Sequence, residues 1–139
     1  MEANIRPKIG IDIDEVLSRT MHFLRTVMIE RGYSVPEYED FSHFHTHEIV
    51  GFPITDKVEM MNFYQELLSH PDSINRLEVV PGSKTALDLL STHFEIHAIT
   101  ARSLTTKKMT ELWIDKHFPN IFTTIDFLGE RIDLGHTSK

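Results

Sequence analysis

The run Lys8-Ile9-Gly10-Ile11-Asp12-Ile13-Asp14-Glu15-Val16-Leu17 decides how the rest of the chain is read. Ile9, Ile11 and Ile13 are β-branched, the run is short and polar residues follow it, so Lys8 to Ile13 is expected to form a strand. From Val16 the period changes. Leu17, Met21, Leu24 and Met28 are spaced four, three and four apart, which lays one apolar stripe on a helix that Gly32 can stop. Two aspartates, Asp12 and Asp14, therefore stand where a strand hands over to a helix.

Downstream, Ser34 to Pro53 is rich in aromatics, histidine and turn formers, so irregular chain or short helices are expected there. Asp56 is a fitting N-cap for a helix carrying Val58, Met61, Phe63, Tyr64, Leu67 and Leu68, which His70-Pro71-Asp72 would end. Pro81-Gly82-Ser83 starts another helix, with Ala86, Leu87, Leu89 and Leu90 available for its buried side. Glu95 to Ile99 reads as a second strand, about Thr105 to His117 as a helix with Met109, Leu112 and Trp113 on one face, and Thr123 to Leu128 as a third strand. The order strand, helical insertion, helix, strand, helix, strand predicts an α/β fold with a mainly parallel sheet.

Composition narrows the function. The 139 residues suffice for one compact core with a small insertion. No apolar run approaches the roughly 20 residues needed to cross a bilayer, and Met1-Glu2-Ala3-Asn4 does not begin a secretory signal, so a cytoplasmic protein without membrane contact is expected. The absence of cysteine excludes disulfides, thiolate metal sites and thiol nucleophiles. A formal charge of −7 opposes binding of a nucleic-acid polymer, whereas a small anion remains acceptable if a metal ion or a few placed cations offset the repulsion.

Ligands of an open parallel sheet bind beyond the carboxyl ends of its strands, which here close on Asp12, Asp14 and Thr100. Asp-x-Asp alone most often marks a turn or a helix cap. Its context is more specific. Ile9 to Leu17 resembles the first motif of the haloacid dehalogenase-like (HAD) superfamily, an apolar strand followed by Asp-x-Asp-x-Val or Thr, and Ile99-Thr100-Ala101-Arg102 resembles the second. Trp113-Ile114-Asp115-Lys116-His117-Phe118-Pro119-Asn120-Ile121-Phe122, followed by Phe127-Leu128-Gly129, is similar to the 5'(3')-deoxyribonucleotidase, or 5'-nucleotidase type C, branch.

The resemblance implies a HAD-like Rossmannoid parallel sheet, with residues 1–17 and 80–139 as an α/β core incomplete at its C-terminus and 18–79 as a helical cap inserted after the first strand. It implies a magnesium-dependent phosphomonoester hydrolase whose substrate is a nucleotide. Asp12 would attack phosphorus to form an aspartyl-phosphate, and Asp14 would give a proton to the leaving oxygen and later take one from water. Mg2+ would be held by the Asp12 carboxylate and the Asp14 backbone carbonyl. Thr100, Ala101 and Arg102 would bind the phosphate, Arg102 being equally readable as a solvated arginine, and Lys139 stands where the family's third-motif lysine belongs. Phe41 and Phe44, with Phe52, are cap aromatics that would stack a base or pack the cap's own core.

The family also has an acidic residue or pair after a later strand, and no residue follows Lys139. A C-terminally truncated chain is therefore expected, with the Ile9 to Ile13 strand left as an open edge that a second copy, forming a homodimer, would cover. The competing reading is a non-catalytic relative that binds phosphate or a protein partner. His43, His45 and His47 alternate as zinc ligands can, and the plainer reading is a polar cap loop.

Overall fold

In the computed structural model, residues 5–41 and 46–128 are described. Three parallel strands, β1 (Lys8–Asp12), β2 (Glu95–Thr100) and β3 (Phe122–Phe127), form a sheet in that order. Lys8 lies beside Glu95 and Asp12 beside Ile99, so β1 and β2 end next to each other at their carboxyl ends. Among the described residues β1 pairs with β2 alone. The expected α/β architecture with a parallel sheet is present.

Helix α1 (Thr20–Glu30) follows β1, α2 (Lys57–Ser69) and α3 (Asp72–Arg76) lie further along the long segment between β1 and α4, called the insertion for its place in the chain, α4 (Ser83–Leu90) leads into β2, and α5 (Lys107–His117) joins β2 to β3. Single 3₁₀ turns occupy Tyr38–Asp40, Thr46–Glu48 and Leu104–Thr106, in keeping with the irregular reading of the segment after Ser34. Helix α1 begins four residues later than the apolar period suggests. The N–H groups of Leu17 and Ser18 both turn back to the Ile13 carbonyl, which spends these residues on a loop. Gly32 takes φ +91° just beyond the helix end, a conformation that suits a residue without Cβ.

Leu17, Phe23, Leu24 and Met28 join Ile13, Ile96, Ala98, Trp113, Ile114 and Phe118 in one core. Some helix faces differ from expectation: Ala86 is exposed on α4, and Leu112 is exposed on α5 although Trp113 beside it is buried. Leu89 is 67% exposed, because α4 turns Leu87 inward and its short length leaves only one face covered. Helix α2 ends at His70 as expected, and a short helix that the sequence did not announce, α3, starts at Asp72 and packs with α2 on α5. The two ends of the insertion meet: Arg19 N–H donates to the Glu78 carbonyl and Val80 N–H to the Leu17 carbonyl, both at 2.8 Å. Among the described residues no helix is long and apolar enough to cross a membrane.

Candidate active site

The site gathers where β1 and β2 end. Asp12 is exposed at the tip of β1, and its Oδ1 accepts from the Ile13 N–H at 2.7 Å. Thr100 is buried at the tip of β2, and its Oγ1 accepts from the Arg102 N–H at 3.1 Å, which leaves the hydroxyl hydrogen for another acceptor.

Asp14 lies in the loop after β1, and Arg102 reaches it across the gap between the two strand ends. Arg102 Nη2 donates to Asp14 Oδ1 at 2.7 Å and Nε donates to Oδ2 at 3.1 Å, a bidentate pair in which the arginine side chain is 4% exposed and the aspartate 33%. Arg102 is thus no solvated surface arginine. Its Nη1 is held from behind by the Thr110 hydroxyl of α5 at 2.9 Å. Asp14 Oδ1 also accepts from Thr20 Oγ1 at 2.5 Å, and Thr20 shares a 2.7 Å bond with Ser18 Oγ. Burial, the largest single influence on Asp14, would raise its pKa. The Arg102 charge and hydrogen bond, followed by Thr20 and Ser18, outweigh burial and hold the carboxyl below its ordinary value.

A cavity of about 240 Å³ opens over this pair. Asp14, Ala101, Arg102, Ser103 and Thr106 form its core side, and Met61, Tyr64, Gln65 and Leu68 of α2 face them. Asp12 and Thr100 stand beside this lining rather than in it. Burial raises the Tyr64 hydroxyl above its ordinary pKa, so the group stays a neutral phenol that bonds to the Met21 sulfur at 2.7 Å. Phe41 lies outside the cavity lining and packs between Tyr38 and Phe52, with ring centroids 5.4 and 6.0 Å away. Phe44 and Lys139, like His43 and His45, lie outside the described residues.

Sequence reasoning missed Ser18, Thr20 and Thr110 around the ion pair and the α2 residues above it. A hydroxyl near a helix start has an ordinary capping explanation, so nothing in the pattern separated these from caps. Among the described residues no group of three histidine, aspartate or glutamate side chains converges. The remaining donor set still suits a hard cation of magnesium type. Asp12 offers a solvent-facing carboxylate and Asp14 a main-chain carbonyl, while magnesium ordinarily takes one or two carboxylates and fills its other positions with water and phosphate oxygen.

The parallel α/β sheet, with Asp12 at one strand tip, Asp14 in the loop just after it and the Thr100 hydroxyl at the neighbouring tip, is the arrangement that the HAD-like resemblance led us to expect. The family described as 5' nucleotidase, deoxy (Pyrimidine), cytosolic type C (NT5C) matches residues 6–133, and the chain belongs to it. Among solved structures, the HAD-hydrolase YfnB from Bacillus subtilis, bound to magnesium, superposes with a TM-score of 0.52 at 8% identity. That match covers 90% of this chain and 66% of YfnB, so the chain spans just under two thirds of its length. A haloacid dehalogenase-like hydrolase from Xanthomonas campestris gives a TM-score of 0.46 at 14% identity over 96% of this chain and 70% of its own. No curated protein sequence matches the chain.

Proposed function

We propose that the protein is a magnesium-dependent phosphomonoester hydrolase that acts on nucleotides through an aspartyl-phosphate on Asp12. The observation that carries this reading is the bidentate Arg102–Asp14 pair beside the adjoining tips of β1 and β2, roofed by α2. Membership in the 5' nucleotidase family supports the substrate class, and the family's cytosolic description supports a cytoplasmic setting.

In this reading Asp12, exposed at the strand tip, is the nucleophile. Thr100 donates its free hydroxyl hydrogen to the phosphoryl group, with the Ala101 main chain alongside. Arg102 has five N–H donors in a fixed fork and serves both Asp14 and the phosphate. As the phosphate competes for the guanidinium, its hold on Asp14 weakens, which favours the protonated carboxyl needed at the leaving oxygen. The leaving group rests against Met61, Tyr64, Gln65 and Leu68 of α2. Asp12 and the Asp14 carbonyl would hold the magnesium ion, whose contribution is to neutralise phosphate charge that the protein's own −7 would otherwise repel.

The test is phosphate release from a panel of nucleoside monophosphates and a generic phosphomonoester, with magnesium and with chelator. Magnesium-dependent release should fall on the order of a thousandfold in Asp12→Asn. The fold should persist, because the side chain is exposed and asparagine keeps an oxygen for the Ile13 N–H. Equal turnover in the variant would overturn the aspartyl-phosphate route. No release from folded wild-type protein would favour the phosphate- or partner-binding reading instead.

A further inference from the structure

Between β1 and α1 the chain closes a tight loop in which Glu15 N–H donates to the Ser18 carbonyl at 2.8 Å. To close it, Glu15 adopts φ +65°. An L-residue there crowds its Cβ against its own carbonyl group, so the position favours glycine and, next, asparagine or aspartate. The other non-glycine described residue with positive φ is Asn120, a type that tolerates it. A glutamate in this conformation must be held by its surroundings.

Both of its carboxylate oxygens are engaged. Oε1 accepts from the Met21 N–H at 2.6 Å, and Oε2 accepts from the Tyr38 hydroxyl at 3.0 Å. The first contact caps α1 from outside its own sequence boundary. Arg19, the boundary residue, makes no side-chain cap bond, and the first turn holds no acidic residue, so Glu15 supplies the acceptor and the negative charge that a helix start favours. The second contact ties the loop to the insertion, where Tyr38 opens a 3₁₀ turn and leans on Phe41. Thr20, the first residue of α1, is the donor that sits on Asp14.

We propose that Glu15 is a positioning residue, a strut joining the Asp14 loop to the first turn of α1 and to the insertion so that the Thr20 hydroxyl stays on the Asp14 carboxylate. Its catalytic consequence rests on the reading of Asp14 as the group that transfers the proton. The strained conformation is retained because glycine, the residue the backbone favours, has no side chain to make either contact. Glutamine is the conservative replacement: its carbonyl oxygen still accepts from Met21, and its amide N–H can donate to the Tyr38 oxygen.

The experiment compares Glu15→Gly, Glu15→Gln and Tyr38→Phe in the full chain. It reads kcat and KM on nitrophenyl phosphate with magnesium, the melting temperature, amide exchange at Met21 and the Asp14 carboxyl carbon shift by NMR. In Glu15→Gly, relief of backbone strain and loss of the cap oppose each other, so the melting temperature should move little. Its kcat should nevertheless fall on the order of tenfold or more, with KM nearly unchanged, as expected when a reacting group is misplaced rather than binding lost. Met21 exchange should speed up and the Asp14 carbon shift should move. Glu15→Gln should restore kcat to within about threefold, and Tyr38→Phe should lie between the two. Full kcat in Glu15→Gly, or Glu15→Gln as impaired as Glu15→Gly, would overturn the proposal. Should wild-type protein release no phosphate, the functional reading fails while the strut is still decided: an unmoved Asp14 carbon shift in Glu15→Gly overturns it, and a shift restored in Glu15→Gln supports it.

Discussion

Asp14 and Arg102 are separated by 88 positions and meet in a bidentate pair that neither makes sense without. Removing the arginine leaves a carboxylate with only Thr20 and Ser18 as hydroxyl donors in a largely enclosed position. Breaking a fully buried pair from one side costs ~3–5 kcal/mol, and the third of the Asp14 side chain that meets water lowers the figure for Arg102→Ala to about 2 kcal/mol near neutral pH. The penalty has a definite pH sign. A carboxyl whose folded pKa is depressed adds stability above its unfolded value, and this is lost as pH falls through the folded value, so the wild-type advantage should shrink below about pH 4. Urea unfolding of both proteins at pH 7 and pH 3 checks this, and a penalty as large at pH 3 as at pH 7 would assign it to lost packing. The placement of Asp12, Asp14 and Thr100 at or just beyond the ends of β1 and β2 was legible, because the apolar runs before them mark where each strand stops. The burial of Arg102 was not, since nothing local in Ile99-Thr100-Ala101-Arg102 announces that Thr110 of a later helix turn will hold its guanidinium.

Individual elements were read more fully than their faces. Strands β1, β2 and β3 fall within about a residue of their expected bounds because short β-branched runs ending in polar groups leave little choice. Helix α2 was announced by Asp56, whose Oδ2 accepts from the Glu59 N–H at 2.9 Å. The apolar residues expected on it, however, divide between two surfaces. Phe63 and Leu67 turn into the core together with Met60, while Met61 and Tyr64 line the cavity, Leu68 is buried in the core and also borders the cavity, and Val58 is exposed. The cap therefore bears on the site as well as on the helix. Asp56→Ala should lower stability by about 1 kcal/mol, the usual effect of losing an N-cap side chain. It should also raise KM for nucleotides more than for nitrophenyl phosphate, because only the larger leaving group needs a well-ordered α2. A thermal melt and a pair of substrate titrations measure the two effects separately. Equal KM changes for both substrates would place the leaving group away from this helix.

At the scale of the whole molecule, the insertion is built into the core rather than resting on it. Trp113, the chain's single tryptophan, sits on α5 with 1% of its surface exposed, and its indole N–H donates to the Leu77 carbonyl at 2.8 Å, just beyond α3. Helices α2 and α3 pack on α5, and Leu17–Val80 and Arg19–Glu78 bonds close the entrance and exit of the insertion. This closure joins residues some sixty positions apart, which explains why a strand-by-strand reading could not show how the segment docks. Such packing couples the insertion's unfolding to that of the sheet. The prediction is one cooperative transition, with Trp113 fluorescence and far-UV circular dichroism falling on a common curve in urea. Fluorescence reports the α5–insertion contact, whereas dichroism reports helices from both parts, so the comparison is sensitive to separate melting. If the fluorescence midpoint came at clearly lower urea, the insertion would be a loosely docked unit that opens before the sheet melts, and the cavity between α2 and Arg102 would open with it.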